Sequence, residues 1–474
     1  MQGLLIGDRR PQGQAVLRVI EPARGTPFAE VGAAGPADLE AAIDAAKVAY
    51  PTWAATTPVA RAEILFRLAD VVRAHAEELA LLEARNVGKP IGDARWEAGH
   101  MADTFRYYAG AADKFCGQTV TPKKGGLSIT LHDPLGVVGL IIPWNFPMVI
   151  AVWKLAPALA CGNTVVLKPA SLTPLSALRL GELALEAGVP PGVLNVVPGA
   201  GATIGAAMAA HPDIAKISFT GETATGRAIM VAAAGTIKRV GLELGGKSPN
   251  IIFADVDIQQ VATEAVGSVF ANAGQDCCAR SRIIVERRIA DAFVDALASA
   301  AGAVVVGDPL AEATQMGPVI SASQRERTES YIATGRGEGA RLVCGGERCA
   351  PDGLQGYFLR PAVFADAQPR MRIVEEEIFG PVVSVLTFDT EAEAIELAND
   401  SIYGLSGSLW TNDLKRGLRV ARAVRTGVLS VNSSSSVHLQ VPFGGYRQSG
   451  LGRELGMQAM EHYTEVKSIY FETA

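Results

Sequence analysis

The 474-residue sequence predicts an α/β protein built on parallel sheets, and three observations carry that prediction. Short β-rich runs alternate with helical stretches over residues 135–246, and the alternation resumes over about 247–445. Strand, crossover helix, strand is the pattern of a parallel sheet, whose ligands sit at the carboxyl ends of its strands. Apolar residues make up 49% of the chain and charged residues only 19%, which excludes disorder and fits extensive burial. Single cores stop growing at about 250–300 residues, so a chain of this length divides into about three domains.

The elements follow in order. Near the start only Leu4-Leu5-Ile6 is apolar, before Asp8-Arg9-Arg10. Over 36–110, apolar residues recur at helical spacing. Ala62, Leu65, Phe66, Ala69 and Val72 form one series and Leu79 with Leu82 another, which predicts two or three amphipathic helices. Residues 119–133 place Pro122, Gly125 and Gly126 between short alternating segments, a hairpin-like arm. Strands are predicted at 137–142, 164–167, 193–197 and 214–219, with helices at 175–187 and 202–210. The second block supplies strands at 251–253, 282–285 and 382–388 and a helix at 261–272. The strand-like tail, 466–471, has no sequence neighbour and is expected to pair elsewhere, including on another subunit.

Several function classes drop out. With 43 basic against 49 acidic residues, the net charge of −6 leaves no basic excess, so no nucleic-acid partner is expected. A secretory segment needs about 7–15 apolar residues in a row, which the N-terminus lacks. Residues 135–153 carry no charge, yet Pro143, Asn145 and Pro147 fit a buried strand and turn better than a membrane span. No membrane partner and a cytoplasmic location are therefore expected. The six cysteines, Cys116, Cys161, Cys277, Cys278, Cys344 and Cys349, form no CxxC pair and are expected to be reduced thiols. Zinc-ligand spacings are missing too, so no metal is expected.

A few points concentrate chemistry. Cys277, in Gly274-Gln275-Asp276-Cys277-Cys278, follows a predicted helix through a glycine turn. A cysteine nucleophile needs an activating base, and none of the six histidines forms a local cysteine–histidine signature. An inert packing cysteine is the plainer reading. Glu243 lies between Leu242 and Leu244 ahead of Gly245-Gly246. A carboxylate near apolar neighbours has a raised pKa and can serve as a general base near neutrality; otherwise it is an edge-strand or surface residue. Asn145 sits in the two-proline loop Pro143-Trp144-Asn145-Phe146-Pro147 just past a buried strand. An amide there suits an oxyanion hole, or bonds only its own turn. Two strand–glycine–helix turns run from Pro198-Gly199-Ala200-Gly201 to Gly205 and from Phe219-Thr220-Gly221-Glu222 to Gly226. Both place backbone N–H groups where phosphate binds, and Lys168-Pro169 adds a cation at the same sheet edge.

Seven motifs stand together in order and spacing: Pro143-Trp144-Asn145-Phe146-Pro147, Lys168-Pro169-Ala170, Phe219-Thr220-Gly221, Glu243-Leu244-Gly245-Gly246-Lys247, Gly274-Gln275-Asp276-Cys277, Glu376-Glu377-Ile378-Phe379-Gly380-Pro381 and Pro442-Phe443-Gly444-Gly445. In this the whole chain resembles the aldehyde dehydrogenase superfamily. The resemblance implies a Rossmann-like NAD(P)-binding domain (1–117 and 135–246), an α/β catalytic domain (247–446) and a small β oligomerisation arm with its tail (118–134 and 447–474). It implies a homodimer or homotetramer acting on a small-molecule aldehyde. Cys277 would be the nucleophile and Glu243 the general base, with Asn145 and the Cys277 amide holding the oxyanion and Lys154 in a proton relay. Lys168 would contact the adenosine ribose, Gly201, Gly205, Gly221 and Glu222 the adenine or pyrophosphate, and Glu377 and Phe379 the nicotinamide ribose and ring. Ile142, Pro143, Trp144, Ser171, Phe219, Thr220 and Leu244 complete the implied cofactor contacts. Phe146, Trp153 and Phe443 would wall the aldehyde tunnel.

Departures from the family pattern set the finer expectations. NAD-preferring members often carry Glu where this chain has Ser171; without that carboxylate, NADP should be tolerated and dual use is expected. Glu222 stands where Ser is common and is expected to cap a helix N-terminus. Asp276, before the nucleophile, matches the 4-aminobutyraldehyde branch. A carboxylate ~8 Å from a substrate ammonium gives about 2 kcal/mol at an effective dielectric of ~20, roughly a thirtyfold preference. The alternatives are that Asp276 bonds loop backbone and the substrate is a neutral aliphatic or aromatic aldehyde. Glu243 argues against a CoA-acylating relative, and the presence of both nucleophile and base argues against a non-catalytic structural protein on this fold.

Overall fold

The structure is a computed structural model that describes residues 2–473. Its centre is a six-stranded sheet with strand order Gly450–Leu451, Arg239–Glu243, Lys216–Thr220, Val137–Ile141, Thr164–Lys168, Leu194–Val196. All neighbours run parallel except Gly450–Leu451, which is antiparallel to Arg239–Glu243. The chain enters at Val137–Ile141, builds outward to Leu194–Val196, then crosses back to lay Lys216–Thr220 on the other side of the first strand. That reversal opens a crevice at the carboxyl ends of Val137–Ile141 and Lys216–Thr220, where ligands of such sheets bind. Strands 137–141, 164–168, 194–196 and 216–220 are buried throughout, because helices cover both faces.

A second sheet has seven strands in the order Arg341–Cys344, Ala362–Ala365, Val382–Phe388, Arg282–Glu286, Pro249–Ile252, Ser408–Trp410, Ser430–Val431. It is parallel apart from its Arg341–Cys344 edge. The expected α/β class with parallel sheets is borne out. The expected boundary of the tail needs correction: Gly450–Leu451 belongs to the six-stranded sheet, and only Thr464–Phe471 joins the arm. There it lies antiparallel to Leu127–Pro134, from Thr464 opposite Pro134 to Phe471 opposite Leu127, with Thr119–Val120 at the far edge. The terminal strand thus has a partner within its own chain.

Four helices, not two or three, fill the N-terminal helical region: Pro36–Ala55, Pro58–Ala74, Ala76–Val87 and Ile91–Ala111. Gly88, at φ +90, ends the third and turns the chain into the fourth. Leu65, Leu68, Ala69 and Val72 are fully buried whereas Phe66 is 39% exposed, so the core stripe passes through Leu68 instead of Phe66. Residues 135–153 resolve into the strand Val137–Ile141, a turn, and the first half of helix Pro147–Ala160, every residue of which is buried. Among the described residues no helix is long and apolar enough to cross a membrane.

Candidate active site

At the crevice left by the strand reversal lies a cleft of about 1050 Å³. Strand ends form much of its wall, three from strands that the sequence predicts and a fourth from Arg239–Glu243, which it does not. Ile142, Pro143 and Trp144 follow Val137–Ile141; Lys168 ends one strand and Ser171 follows it; Phe219, Thr220, Gly221 and Glu222 close a third; Glu243 and Leu244 close a fourth. Gly201 and Gly205 contribute a π-helical turn that leads into helix Ala206–Ala210. From the second sheet come Cys277, Glu377 and Phe379, and Asn145 and Phe146 complete the inner end. All fourteen residues expected at a cofactor therefore line one cavity together with Cys277, Glu243 and Asn145. Lys154, Trp153, Asp276 and Phe443 lie outside it.

The cleft suits a dinucleotide. Lys168 is buried, donates only to the Pro169 carbonyl at 3.1 Å, and is pushed down to about 8 by burial, so it is a cation awaiting a polar partner. The Thr220 hydroxyl is buried without a hydrogen bond. Glu222 occupies the N-cap position of helix Thr223–Ala234, but its carboxylate makes no cap bond, which corrects the expectation of a cap and leaves the first-turn N–H groups open. Opposite, Glu377 accepts from the Gly246 amide at 3.0 Å, and Phe379 meets Trp144 edge-on at 5.2 Å. A Cβ at Gly245 would come within 2.2 Å of a Glu377 oxygen, so glycine there is what lets the carboxylate approach. Phe379 itself is held at φ 61, a strained conformation of the kind found at functional sites.

Two loops meet at the inner end. Helix Ile258–Phe270 stops short of residue 272 because Asn272, Ala273 and Gly274 all adopt left-handed backbone, φ 49, 56 and 70. The turn is over-determined by its surroundings. A Cβ at Gly274 would strike the Gly380 carbonyl, Asn272 Nδ2 donates to the Asn145 carbonyl at 3.0 Å, and Gln275 Oε1 accepts from the Ile320 amide at 2.8 Å. Asn145 does not bond its own turn. Its Nδ2 donates to the Gln275 carbonyl at 2.9 Å, two residues before Cys277, and retains one further hydrogen.

Protonation is set by burial. Glu243 ends strand Arg239–Glu243 at 5% exposure, one of its oxygens has no hydrogen-bond partner, and burial with the neighbouring Glu454 charge holds its carboxyl well above the ordinary range. Cys277 is also held well above the usual thiol range, by a hydrogen bond with the Cys278 thiol and then by burial. Both shifts favour the neutral forms, a Cys277 thiol and a Glu243 carboxyl, and no histidine among the described residues lines the cleft. Lys154 is fully buried behind the sheet, pairs with Glu454 and donates to the Ser218 hydroxyl at 3.2 Å. A second cavity of about 10 Å³, about the room one water needs, lies between Glu243 and Glu454.

On the other side of Cys277, Trp153 meets Phe443 at 5.2 Å and donates Nε1–H to His100 Nε2 at 3.0 Å; Trp96 stacks on His100 at 5.0 Å. Trp96 is 59% exposed, so the aromatic wall reaches solvent. Asp276 Oδ1 accepts from the Cys278 amide at 2.8 Å. Asp276, Cys277 and Cys278 bring three ligand-type atoms within 4.8 Å of one another, but they are three consecutive residues and no fourth ligand joins them among the described residues. Sequence reasoning missed Glu454, His100, Trp96 and the buried Lys89 that donates to the Asn145 carbonyl at 3.1 Å. None of the four lies in a motif, and only folding brings them to the site.

A thiol, a buried carboxyl and an amide with a free hydrogen that line one dinucleotide-sized cleft define a nucleotide-dependent α/β enzyme. The aldehyde dehydrogenase family model matches residues 9–469, and the chain belongs to that family; it is an aldehyde dehydrogenase oxidoreductase. It is 43% identical to a betaine aldehyde dehydrogenase of Bacillus subtilis over 97% of this chain and 95% of the relative. It is 45% identical to human retinal dehydrogenase 2 over 96% and 88%, and 44% identical to a phenylacetaldehyde dehydrogenase of Pseudomonas fluorescens over 98% and 95%. Among solved structures, a betaine aldehyde dehydrogenase of Staphylococcus aureus in complex with NAD+ aligns with a TM-score of 0.97 at 39% identity, covering 99% of this chain and 95% of that one.

Burial pushes Glu377 up to about 7 from an ordinary 4.5, against the opposing Gly246 amide bond. A carboxyl raised in the fold favours folding below its unfolded value, and that contribution is lost as pH rises from about 4.5 through about 7. Glu377→Gln should therefore melt at the same temperature as wild type near pH 4.5 and at a higher temperature at pH 8. An equal difference at both pH values in thermal melts would contradict the assignment.

Proposed function

We propose that this enzyme oxidises an aldehyde to the carboxylic acid through a covalent intermediate on Cys277, with NAD or NADP as acceptor. The observation that carries the reading is the convergence of Cys277, Glu243 and Asn145 on one end of the cleft. The Cys277 sulfur adds to the aldehyde carbon while its proton passes, directly or through water, to Glu243, which must first have given up the proton that burial favours on it. The negative charge that develops on the aldehyde oxygen is met by the remaining Asn145 N–H and the Cys277 backbone amide. A nicotinamide held at Glu377 and Phe379 would supply the acceptor for the hydride, and loss of that hydride from the adduct leaves a thioester on Cys277. Glu243 passes the Cys277 proton on through the small cavity toward Glu454, Lys154 and Ser218, which frees its carboxylate to take a proton from the water that attacks the thioester; that proton returns to the Cys277 sulfur as the acid departs and the thiol is restored. Splitting the oxidation into acylation and hydrolysis replaces one hard step by two easier ones.

Cofactor choice turns on Ser171. Its hydroxyl donates to the Gly199 carbonyl at 3.0 Å and brings no charge to the ribose end of the cleft, so a 2′-phosphate meets no repulsion there. The substrate class turns on Asp276. Its half-buried carboxyl group beside Cys277 favours an aminoaldehyde, and the relative named for betaine aldehyde takes the same side. Its bond to the Cys278 amide, with the aromatic wall of Trp153, Phe443 and Phe146, favours a neutral or aromatic aldehyde, as do the retinal and phenylacetaldehyde relatives. The side chains of Val120, Leu131, Val466, Tyr470 and Phe471 on the arm are 40–62% exposed, which supports a homo-oligomer assembled through it.

Initial rates with 4-aminobutyraldehyde and butyraldehyde, each with NAD and NADP, separate these readings. If Asp276 selects charge, the amino aldehyde leads by about tenfold or more in kcat/KM, and Asp276→Asn erases the lead. Equal rates in both proteins leave the neutral substrates. Deleting residues 464–474 should lower the mass seen by light scattering, and an unchanged mass would sink the assembly through the arm.

A further inference from the structure

Two N-terminal helices and the turn between them carry a charged cluster that the reaction does not use. Lys89 is 1% exposed, Glu97 1% and Glu83 0%. The Lys89 ammonium donates to Glu97 at 2.5 Å, lies 3.5 Å from Glu83, sits 4.5 Å over the Phe146 ring, and donates to the Asn145 carbonyl at 3.1 Å. Glu83 faces the Met148 amide in the first turn of helix Pro147–Ala160, and the Ser176 hydroxyl. Lys89 thus holds the Asn145 loop at the carbonyl before Phe146, while Glu83 faces the first helical turn after it with no hydrogen bond to either of its oxygens.

Burying such a cluster is costly, and well-packed apolar residues in its place are often neutral or stabilising. Burial pushes Glu97 up to about 8, so near neutrality one carboxyl keeps its proton and the trio carries little net charge. Stability alone gives little reason for an ammonium at this spot. What the ammonium does is define where the Asn145 peptide lies, because Lys89 and Asn272 together satisfy both lone pairs of that carbonyl from opposite elements. The side-chain amide of the same residue is already tied through one hydrogen to Gln275, so the position of the backbone fixes the direction of the other.

We propose that Lys89, held by Glu97 and Glu83, is a positioning residue that aims the free Asn145 N–H at the aldehyde oxygen during acylation. The proposal rests on the oxyanion role of Asn145 given above. A misplacement of about 1 Å at a reacting centre can cost about a hundredfold in rate, so a clamp of this kind acts on the chemical step and not on cofactor binding.

The test is a double-mutant cycle on the single-turnover rate of reduced-cofactor formation with butyraldehyde and NAD. Lys89→Met should slow acylation by about ten- to a hundredfold while the Kd for NAD stays within about twofold. Asn145→Ala alone should slow it by about 10²–10³, leaving a measurable rate. In the Asn145→Ala background, Lys89→Met should cost less than about twofold, because the group it aims is gone. A full loss in both backgrounds would overturn the clamp and leave Lys89 a general structural residue. An unchanged rate in Asn145→Ala would instead remove the oxyanion reading, and the clamp with it. If Lys89→Met fails to fold, Glu97→Gln reads the same cycle: a slower acylation that disappears in Asn145→Ala supports the clamp, and an unchanged rate overturns it.

Discussion

The hydrogen bond from the Asn145 amide to the Gln275 carbonyl joins the two sheets where they meet. Asn145 hangs from the central strand of the six-stranded sheet, and Gln275 precedes Cys277 on the loop that feeds the seven-stranded one. Asn272 returns a bond to the Asn145 carbonyl, so each loop is held by the other. Three consecutive left-handed residues and a glycine packed on the Gly380 carbonyl are conformations that no isolated segment would keep. The packing of two sheets supplies the constraint, and the constraint places the thiol beside the cleft.

Burial then decides the protons. Glu243 and Cys277 are both shifted toward their neutral forms, so the resting pair is not a preformed thiolate beside its base. The same low-dielectric interior raises Glu377 and lowers Lys168 along the cleft. These groups are poised to change charge when a polar ligand or a reacting centre arrives, which an exposed site could not do.

What was legible in the sequence follows from where each signal is stored. Cys277, Glu243, Asn145 and the glycine turns sit in local stretches whose backbone is unusual, and prolines or glycines mark them. Strand ends were legible because buried parallel strands read as unbroken apolar runs. Glu454 reaches Lys154 across 300 residues from an isolated β-bridge, and Lys89 reaches Asn145 across 56 from the turn between two helices, so neither stands in a local pattern that marks it. His100 and Trp96 escape for the same reason. Phe66 and Gly450–Leu451 show the opposite error, in which local pattern or position in the chain suggested a place that tertiary packing overrode. The empty cap at Glu222 belongs here too, since a residue type fits a position without showing which way its side chain turns.

Cys277 as the covalent centre and Glu243 as the base that clears it form the central claim. Peptide-resolved mass spectrometry of Glu243→Gln, quenched in acid after mixing with NAD and butyraldehyde, tests it most directly. The account predicts a butyryl adduct on Cys277 that accumulates in the variant and turns over in wild type. An adduct on Cys278, or none in the variant while reduced cofactor still forms in a burst, would contradict it.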